Sequence, residues 1–128
     1  MNNYIFETKD ILGDDIKLKQ TTWKRHIIGE HAERENFKNN ETFFKEVVEN
    51  PDYIFQQKTR SNKKRYRYTF YGNIEEQGNP KVYSVIAENN GFHKDIVTIL
   101  HSSNTRLTEE ERTEEAKIYD RKFRNKDW

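Results

Sequence analysis

The stretch Arg65-Tyr66-Arg67-Tyr68-Thr69-Phe70 carries the clearest structural pattern in this sequence. Aromatic residues alternate with arginine and threonine, and a period of two is typical of a β-strand whose successive side chains point to opposite faces of a sheet. The pattern predicts that the rings face the core and that both arginines lie on the other face. A sheet that contains this strand therefore has one cationic face.

Three further apolar segments predict strands next to this one. Tyr53-Ile54-Phe55 precedes it, and residues 82–87 and 96–100 follow it as nearly continuous apolar runs. Runs of this kind are typical of central strands that are covered on both faces. Turn residues such as Asn89-Asn90-Gly91 separate the segments and favour antiparallel hairpins. The sequence therefore predicts four core strands, with residues 82–87 and 96–100 in the middle of the sheet.

A first helix is predicted ahead of these strands. It begins at Thr21 or Thr22, whose hydroxyl can accept a hydrogen bond from a free amide of the first turn. Trp23 and Ile27 are four residues apart and share one face, which can bury against a sheet. Gly29 then weakens the helix.

A second helix is predicted between Asn40, as its N-cap, and Asn50-Pro51, because proline disfavours helical geometry in the residue before it. Its apolar residues recur at the spacings of a buried helical stripe. The stripe consists of Phe43, Phe44, Val47 and Val48. Before both helices, residues 3–18 hold two apolar clusters around a turn at Gly13-Asp14-Asp15, which leaves open two strands or one strand and an extended lead-in.

A C-terminal helix is predicted over about residues 108–125. Thr108 and Glu111 have the spacing of a capping box, and acidic residues at its start and basic residues at its end match the helix dipole. Its apolar face is thin and consists of Ala116, Tyr119 and Phe123. We therefore expect this helix at the edge of the domain or on a partner.

The composition limits the class of protein. The 128 residues suffice for one domain with a modest core, and although only 32% are hydrophobic, eight Phe, seven Tyr and two Trp can supply the buried area. The absence of cysteine excludes disulfides and thiolate chemistry. No apolar run reaches the about 18 residues of a membrane span, and no signal-peptide pattern appears. We expect a cytoplasmic protein with no membrane partner.

His26 and His31 are the first candidates for chemistry. A single histidine near an apolar face is commonly structural, but two within six residues, beside a buried Trp23, favour a functional role. Their spacing is not the four-residue spacing that places two imidazoles on one helix face for zinc. Neither a glycine-rich phosphate loop nor a serine nucleophile motif is present. We therefore expect neither a metal nor a cofactor.

These histidines and the basic strand suit cleavage of RNA without a metal. The reaction needs a base for the 2′-hydroxyl, an acid for the departing 5′-oxygen and cations for the developing phosphorane, and histidine can serve both proton transfers near neutral pH. Residues 53–74 contain no acidic residue. We assign Arg67 to catalysis with His26 and His31, and the neighbouring cations to substrate binding: Lys58, Arg60, Lys63, Lys64 and Arg65. The alternative for the arginines is a solvated basic edge that opposes aggregation.

Four motifs carry a resemblance to a known family. They are Trp23-x2-His26-Ile27-x3-His31-Ala32-Glu33, Asn50-Pro51-Asp52-Tyr53-Ile54, Arg65-Tyr66-x-Tyr68 and Ile96-Val97-Thr98. In order and spacing, over about residues 16–101, they resemble the small phage-associated nucleases of the barnase/EndoU/colicin/RelE-like fold. Members of that family often have proline after the second histidine, where this chain has Ala32, so the turn that presents His31 is expected to differ.

The resemblance implies an α+β fold in which N-terminal helices pack on a four-stranded antiparallel sheet, and we expect the C-terminal helix at its edge. It also implies cleavage of RNA without a metal. It matches His26 and His31 to the family's helix histidines, Arg65 and Tyr66 to its basic-aromatic strand, and Thr98 to the threonine of its last core strand. On this basis Tyr66 is expected to bind substrate and Thr98 to belong to the catalytic site.

The expected protein is therefore a single nuclease-like domain over residues 1–128, acting as a metal-independent endoribonuclease of the toxin or phage-effector type. A non-catalytic RNA-binding or protein-interaction domain on the same fold is the alternative. RNA is the expected partner. The class of RNA, the division of roles between the two histidines, an inhibitory antidote protein and the oligomeric state are all left open.

Overall fold

The computed structural model describes residues 3–28, 40–58, 64–72, 81–102 and 117–121, and the side chains of residues 26–28, 57, 58 and 102 lie outside that description. Within these residues one sheet of seven strands dominates. The strands are β1 (Tyr4–Lys9), β2 (Asp15–Lys19), β3 (Tyr53–Lys58), β4 (Lys64–Gly72), β5 (Lys81–Asn89), β6 (Lys94–Ser102) and β7 (Lys117–Asp120). A π-helical segment (Thr22–Ile28) and an α-helix, α1 (Glu41–Glu49), connect β2 to β3.

The strands lie side by side in the order β1-β2-β6-β5-β4-β3-β7. From β3 to β6 each strand pairs antiparallel with the next one in sequence, so the four predicted core strands form a meander. β5 is the central strand and β6 its neighbour, which confirms the predicted position of both apolar runs. β2 pairs with β6 in parallel, and this pairing makes the sheet mixed.

The predicted fold class is wrong. The sheet has seven strands rather than four, because β1, β2 and β7 extend the meander on both sides. Ahead of the meander, the described residues form one short α-helix and a π-helical segment rather than a pair of regular helices. Residues 117–120, expected in a C-terminal helix, form a strand.

The physical reason lies at the two edges of the meander. An edge strand presents a row of unpaired backbone N–H and C=O groups, which are costly when they are buried and invite aggregation when they are exposed. β7 pairs with β3, and β2 pairs with β6, so both edges are hydrogen-bonded. The predicted C-terminal helix had only a thin apolar face to bury. The hydrogen bonds that residues 117–120 gain by pairing with β3 therefore outweigh the helix-capping signals of this segment. Residues 108–116 and 122–125 of that prediction lie outside the described residues.

The hydrophobic core lies on the face of the sheet that carries α1 and the π-helical segment. The rings of Trp23 and Phe44 are 6.0 Å apart, and Phe43 meets Tyr83 nearly edge-on at 5.0 Å. Such ring pairs contribute about 0.5–1.5 kcal/mol beyond the area that they bury. The predicted stripe of α1 packs on this face, with Phe44, Val47 and Val48 buried. Aromatic packing therefore builds the core of a chain that has few aliphatic residues.

The predicted ends of α1 and of the hairpins are confirmed in part. α1 ends at Glu49, and its C-cap is Asn50, whose backbone N–H donates to the carbonyl of Glu46 at 2.7 Å. Asn40 occupies the predicted N-cap position, but its side chain makes no capping hydrogen bond. Gly13 and Gly91 occupy the two predicted turns with φ of 91° and 97°, a backbone conformation that glycine adopts without steric cost.

Candidate functional site

β4 sorts its side chains as the alternation predicts. Tyr66 and Tyr68 belong to the core on the α1 side, and Arg65 and Arg67 therefore lie on the opposite face. We call that opposite face the arginine face. Its described residues on the four meander strands include Phe55, Arg65, Arg67, Thr69, Ser84, Ile86, Glu88 and Thr98.

One row of paired residues crosses the arginine face. Phe55 pairs with Arg67, Arg67 with Ile86, and Ile86 with Thr98. Directly paired residues in adjacent strands point to the same face. Phe55 and Ile86 are buried, whereas Arg67 and Thr98 are only half-buried. The two predicted catalytic residues of the sheet are therefore in one row, and they are the accessible members of it.

The spacing within this row is set by the sheet. Neighbouring strands are about 4.8 Å apart, so the backbones of Arg67 and Thr98, separated by β5, are about 10 Å apart. A long arginine side chain and a short hydroxyl can approach one group that lies between them over Ile86. The row therefore places an arginine and a threonine two strands apart on one face of the sheet.

Arg65 is occupied by an ion pair within the chain. Its Nη2 lies 2.5 Å from Oε1 of Glu88, the residue that it faces on β5. Of the other predicted substrate-binding cations, Lys64 is exposed at the start of β4. The side chain of Lys58 and all of Arg60 and Lys63 lie outside the described residues. The positive charge of the arginine face is therefore smaller than the sequence alone indicates.

The predicted histidine helix packs on the other side of the sheet. Trp23 is buried in the core, next to Phe44 of α1. The backbone of His26 lies in the π-helical segment, a rare geometry that recurs at functional sites. The side chain of His26 and all of His31 lie outside the described residues. The anchor of this segment and the Arg67–Thr98 row thus lie on opposite faces.

The other two histidines, His93 and His101, lie within the described residues, and both contact neighbouring side chains. His93 lies in the β5–β6 turn, where its Nε2 is 2.8 Å from Oδ1 of Asp95. His101 stacks on Tyr83 at 6.3 Å on the core side of β6. His101 therefore does not lie on the arginine face, whereas the partner of His93, Asp95, pairs with Glu88 on that face.

Tyr66, predicted to bind substrate, lies in a buried polar cluster. Its ring centroid is 3.8 Å from Nζ of Lys94. That ammonium donates to Oδ2 of Asp10 at 2.6 Å and to the hydroxyl of Tyr68 at 3.0 Å, and it lies 3.0 Å from Oδ2 of Asp14. The Lys94 side chain is 1% exposed. We call Asp10, Asp14, Tyr66, Tyr68 and Lys94 the lysine cluster.

The polar groups of the lysine cluster bind one another. The ammonium of Lys94 donates hydrogen bonds to Asp10 and Tyr68 and forms an ion pair with Asp14. Oδ1 of Asp10 accepts from the backbone amides of Leu12 and Asp14, and the hydroxyl of Tyr68 donates to Oδ2. Burial, and next the hydrogen bond to Asp10, raise the pKa of Tyr68. This cluster therefore fastens the β1–β2 turn to β4 and β6 rather than offering a group to a substrate.

The lysine cluster was not predicted, although the sequence contains a signal for it. Lys94 is two residues before Ile96, so the period of two that buries Ile96 also points Lys94 into the core. A lysine at an inward position requires buried acceptors. Asp10 and Asp14 flank a glycine turn, where aspartates commonly bond to the local backbone, and this ordinary role concealed the long-range one.

A cavity of about 390 Å³ lies at the end of α1, on the core side. It is lined by Phe43, Glu46, Val47, Glu49, Asn50, Phe70 and Arg121. Two of its three charged residues are engaged, because Glu49 accepts from the hydroxyl of Thr8 and Arg121 binds Asp52 at 3.1 Å. The lining includes none of the predicted site residues.

The described part of the chain contains no group of three or more His, Asp and Glu side chains that could hold a metal ion. In the same part, no helix has the length and apolar character needed to cross a membrane. No protein-family model, no curated protein and no solved structure matches this chain. The resemblance to the phage-associated nucleases therefore rests on the four sequence motifs.

Proposed function

We propose that this chain is a metal-independent ribonuclease that holds the phosphate of an RNA substrate on the arginine face. The observation that supports the proposal is the row in which Arg67 and Thr98 are the accessible members. Two residues that are 31 positions apart in sequence are placed on one face, at one level of the sheet, by the register of β4, β5 and β6.

In this proposal the row stabilises charge rather than moving protons. The guanidinium of Arg67 binds two phosphate oxygens at once, and the hydroxyl of Thr98 donates to an oxygen that becomes more negative in the phosphorane. Buried Phe55 and Ile86 exclude water beside these groups, which strengthens both interactions. His26 and His31 take the roles of base and acid on the strength of the sequence alone.

The primary experiment measures RNA cleavage in the presence of EDTA. We expect 2′,3′-cyclic phosphate products, because the nucleophile is the 2′-hydroxyl of the substrate itself. The proposal is contradicted if the RNA remains uncut both in EDTA and after Mg²⁺ is added.

The row is tested by Thr98→Val and Arg67→Lys. Thr98→Val keeps the shape of the side chain and removes its donor, so we expect kcat to fall by about a hundredfold, as for a lost oxyanion donor. Arg67→Lys keeps the charge and loses the two-pronged contact, so we expect a loss of about tenfold or more. Arg121→Lys is the matched control, because Arg121 is tied to Asp52 and Asn50 away from this face.

The histidines are tested separately. His26→Ala and His31→Ala are each expected to reduce cleavage by about a hundredfold with unchanged melting. His93→Gln, which alters a described histidine outside the proposed site, is expected to cleave at the wild-type rate. Equal losses of folding and cleavage in the first two variants would make those histidines structural.

A second candidate function is binding of RNA without cleavage. It is favoured by the position of Trp23, which anchors the predicted histidine helix on the core side, opposite Arg67 and Thr98. Under this alternative, RNA is bound and returned intact, and Lys64→Gln flattens the dependence of log Kd on log salt by about 0.7. Cleavage in EDTA by the wild type but not by Arg67→Lys would exclude it.

A further inference from the structure

The lysine cluster holds an amine and a carboxyl group in contact, away from solvent. Nζ of Lys94 lies 2.6 Å from Oδ2 of Asp10, and the two side chains are 1% and 0% exposed. The residues are 84 positions apart in sequence, on β6 and directly after β1. Holding two reactants in contact supplies a large part of the advantage of an intramolecular reaction. Contact alone does not make an ion pair reactive, so the surrounding groups decide.

The other carboxyl oxygen of Asp10 accepts from two backbone donors. The amides of Leu12 and Asp14 donate to Oδ1 at 3.0 Å and 2.9 Å. The turn fixes these donors, because the backbone amide of Asp10 in turn donates to the carbonyl of Asp14 at 2.9 Å. Two fixed N–H groups stabilise the negative charge that a carbonyl oxygen gains when a nucleophile adds to its carbon. Oδ1 is thus suited to carry the oxyanion, and Oδ2 to leave.

A second carboxylate contacts the amine. Oδ2 of Asp14 lies 3.0 Å from Nζ of Lys94. An ammonium must lose a proton before it can attack, and a carboxylate within hydrogen-bond reach can accept and relay that proton. The hydroxyl of Tyr68 donates to Oδ2 of Asp10, the oxygen that would leave. A proton relay and a donor to the leaving oxygen are therefore both in place.

Two aromatic rings enclose the amine. The ring centroids of Tyr66 and Tyr68 lie 3.8 Å and 5.6 Å from Nζ of Lys94, and these tyrosines are 7% and 0% exposed. A buried ion pair carries a desolvation cost for both of its charges. An amide between the same two side chains is neutral, so its formation removes both charges from the buried site. The enclosure also keeps water from hydrolysing the product.

We propose that Lys94 and Asp10 condense after folding into an amide bond, which joins β6 to the β1–β2 turn. Asp14 relays one proton from the ammonium to Oδ2 of Asp10, which gives a neutral amine and a carboxylic acid. Nζ then adds to Cγ, and Oδ1 carries the negative charge. As Oδ1 re-forms its double bond, the bond between Cγ and Oδ2 breaks. Oδ2 takes a second proton from Nζ and leaves as water, and the third ammonium proton stays on the amide nitrogen.

The reaction consumes no oxidant, metal or cofactor, and the ion pair described above is the state that precedes it. The amide closes a covalent loop between residues 10 and 94 in a chain that has no cysteine. A link of this kind restricts the unfolded chain as a disulfide does. The proposal uses no residue of the Arg67–Thr98 row and does not depend on ribonuclease activity.

The test follows the mass of the full chain during refolding. The chain is synthesised chemically, kept unfolded in urea and refolded by dilution, and samples are denatured at intervals for mass spectrometry. We expect the mass to fall by that of one water molecule after refolding and to stay constant in urea. Trypsin does not cleave after a lysine whose amine is in an amide, so residues 82–106 should remain one peptide, joined to residues 10–17.

Three variants test the assigned roles. Lys94→Met removes the nucleophile and should keep its full mass. Asp14→Asn keeps the shape of the proton relay and removes its basicity, so we expect the reaction to slow by about a hundredfold. Asp15→Asn is the matched control, because Asp15 is the adjacent carboxylate but binds exposed Lys9. It should react at the wild-type rate.

Circular dichroism checks that each variant folds. If Asp14→Asn does not fold, Tyr68→Phe replaces it, and loss of the donor to Oδ2 should slow the reaction by about tenfold or more.

Four results would overturn the proposal. The first is a folded wild type that keeps its full mass. The second is loss of water without the joined peptide, which would indicate ring closure within one segment. The third is loss of water by Lys94→Met, and the fourth is equal rates for folded Asp14→Asn and Asp15→Asn.

Discussion

Two lysine–aspartate pairs at the β1–β2 turn differ in burial far more than in distance. Lys94 and Asp10 are 2.6 Å apart with side chains that are 1% and 0% exposed, and Lys9 and Asp15 are 2.9 Å apart with 69% and 56% exposed. An exposed pair is weakened by water and salt and contributes little to stability. A buried pair has lost its hydration, so loss of one partner leaves a charge that nothing replaces. Burial, rather than proximity, decides which pair holds the fold.

The largest expected effect comes from Asp10→Ala. The substitution leaves the Lys94 ammonium buried with Asp14 and Tyr68 only, and it removes the acceptor for two turn amides. We expect the free energy of unfolding to fall by about 3–5 kcal/mol. Urea unfolding followed by circular dichroism measures this change.

The double variant Asp10→Asn with Lys94→Met provides the control. Because it removes both charges and keeps the volumes similar, it should be more stable than Asp10→Ala. If Asp10→Ala costs less than about 1 kcal/mol, the lysine cluster is not what fastens the turn.

Tyr68→Phe is expected to have an intermediate effect. The ring and its packing remain, but the hydroxyl that donates to Asp10 and accepts from Lys94 is lost. Removing one member of a buried hydrogen-bonded group costs about 1–3 kcal/mol. The same urea titration gives the value, and Tyr71→Phe, at an exposed hydroxyl, should show no loss.

The pH dependence of stability offers a smaller and independent test. The pKa of Tyr68 in the folded chain lies above its ordinary value of 10.0. The folded state therefore keeps a proton that the unfolded state releases, so this stabilisation is complete below about pH 10 and is lost as pH rises further. Above that pH, the wild type should lose stability faster than Tyr68→Phe, by up to about 1.4 kcal/mol per pH unit. Parallel curves for the two proteins would contradict the raised pKa.

The smallest expected effect is at the exposed pair. The hydrogen bond from Lys9 lowers the pKa of Asp15, so any contribution is present at neutral pH and disappears as pH falls through the lowered folded value. We expect Asp15→Asn to unfold at the wild-type urea midpoint at neutral pH, in low and in high salt. A loss as large as that of Tyr68→Phe would show that proximity alone suffices.

Different parts of the fold and the site were predictable to different degrees. The two faces of β4 could be predicted, because the position of each residue along a strand indicates the face to which its side chain points. The partner of each residue on the neighbouring strand could not be predicted, because it depends on the register between strands. That register forms the row of Phe55, Arg67, Ile86 and Thr98. A bulge between Ile86 and Ala87 shifts the pairing with β6 by one residue, and this shift puts Thr98 opposite Ile86. No local sequence pattern predicts such a shift in register.

For β7, the local sequence signals predicted the wrong secondary structure. Residues 117–120 lie in a segment whose caps and charges match a helix, yet they pair with β3. Local signals of this kind contribute about 1 kcal/mol each, which is less than an unpaired buried edge costs over several residues. The open hydrogen bonds of β3 are a property of the assembled sheet, so the segment alone could not reveal them.

The sequence by itself determined the four strands of the meander, the stripe and C-terminal end of α1, the glycine turns and the separation of rings from arginines along β4, because each follows from neighbours within a few residues. Only the tertiary structure decided that β1, β2 and β7 join the sheet, that Arg65 forms an ion pair with Glu88, and that Lys94 is buried against Asp10. These outcomes depend on which distant groups compete for the same hydrogen bonds, and that competition exists only once the chain has folded.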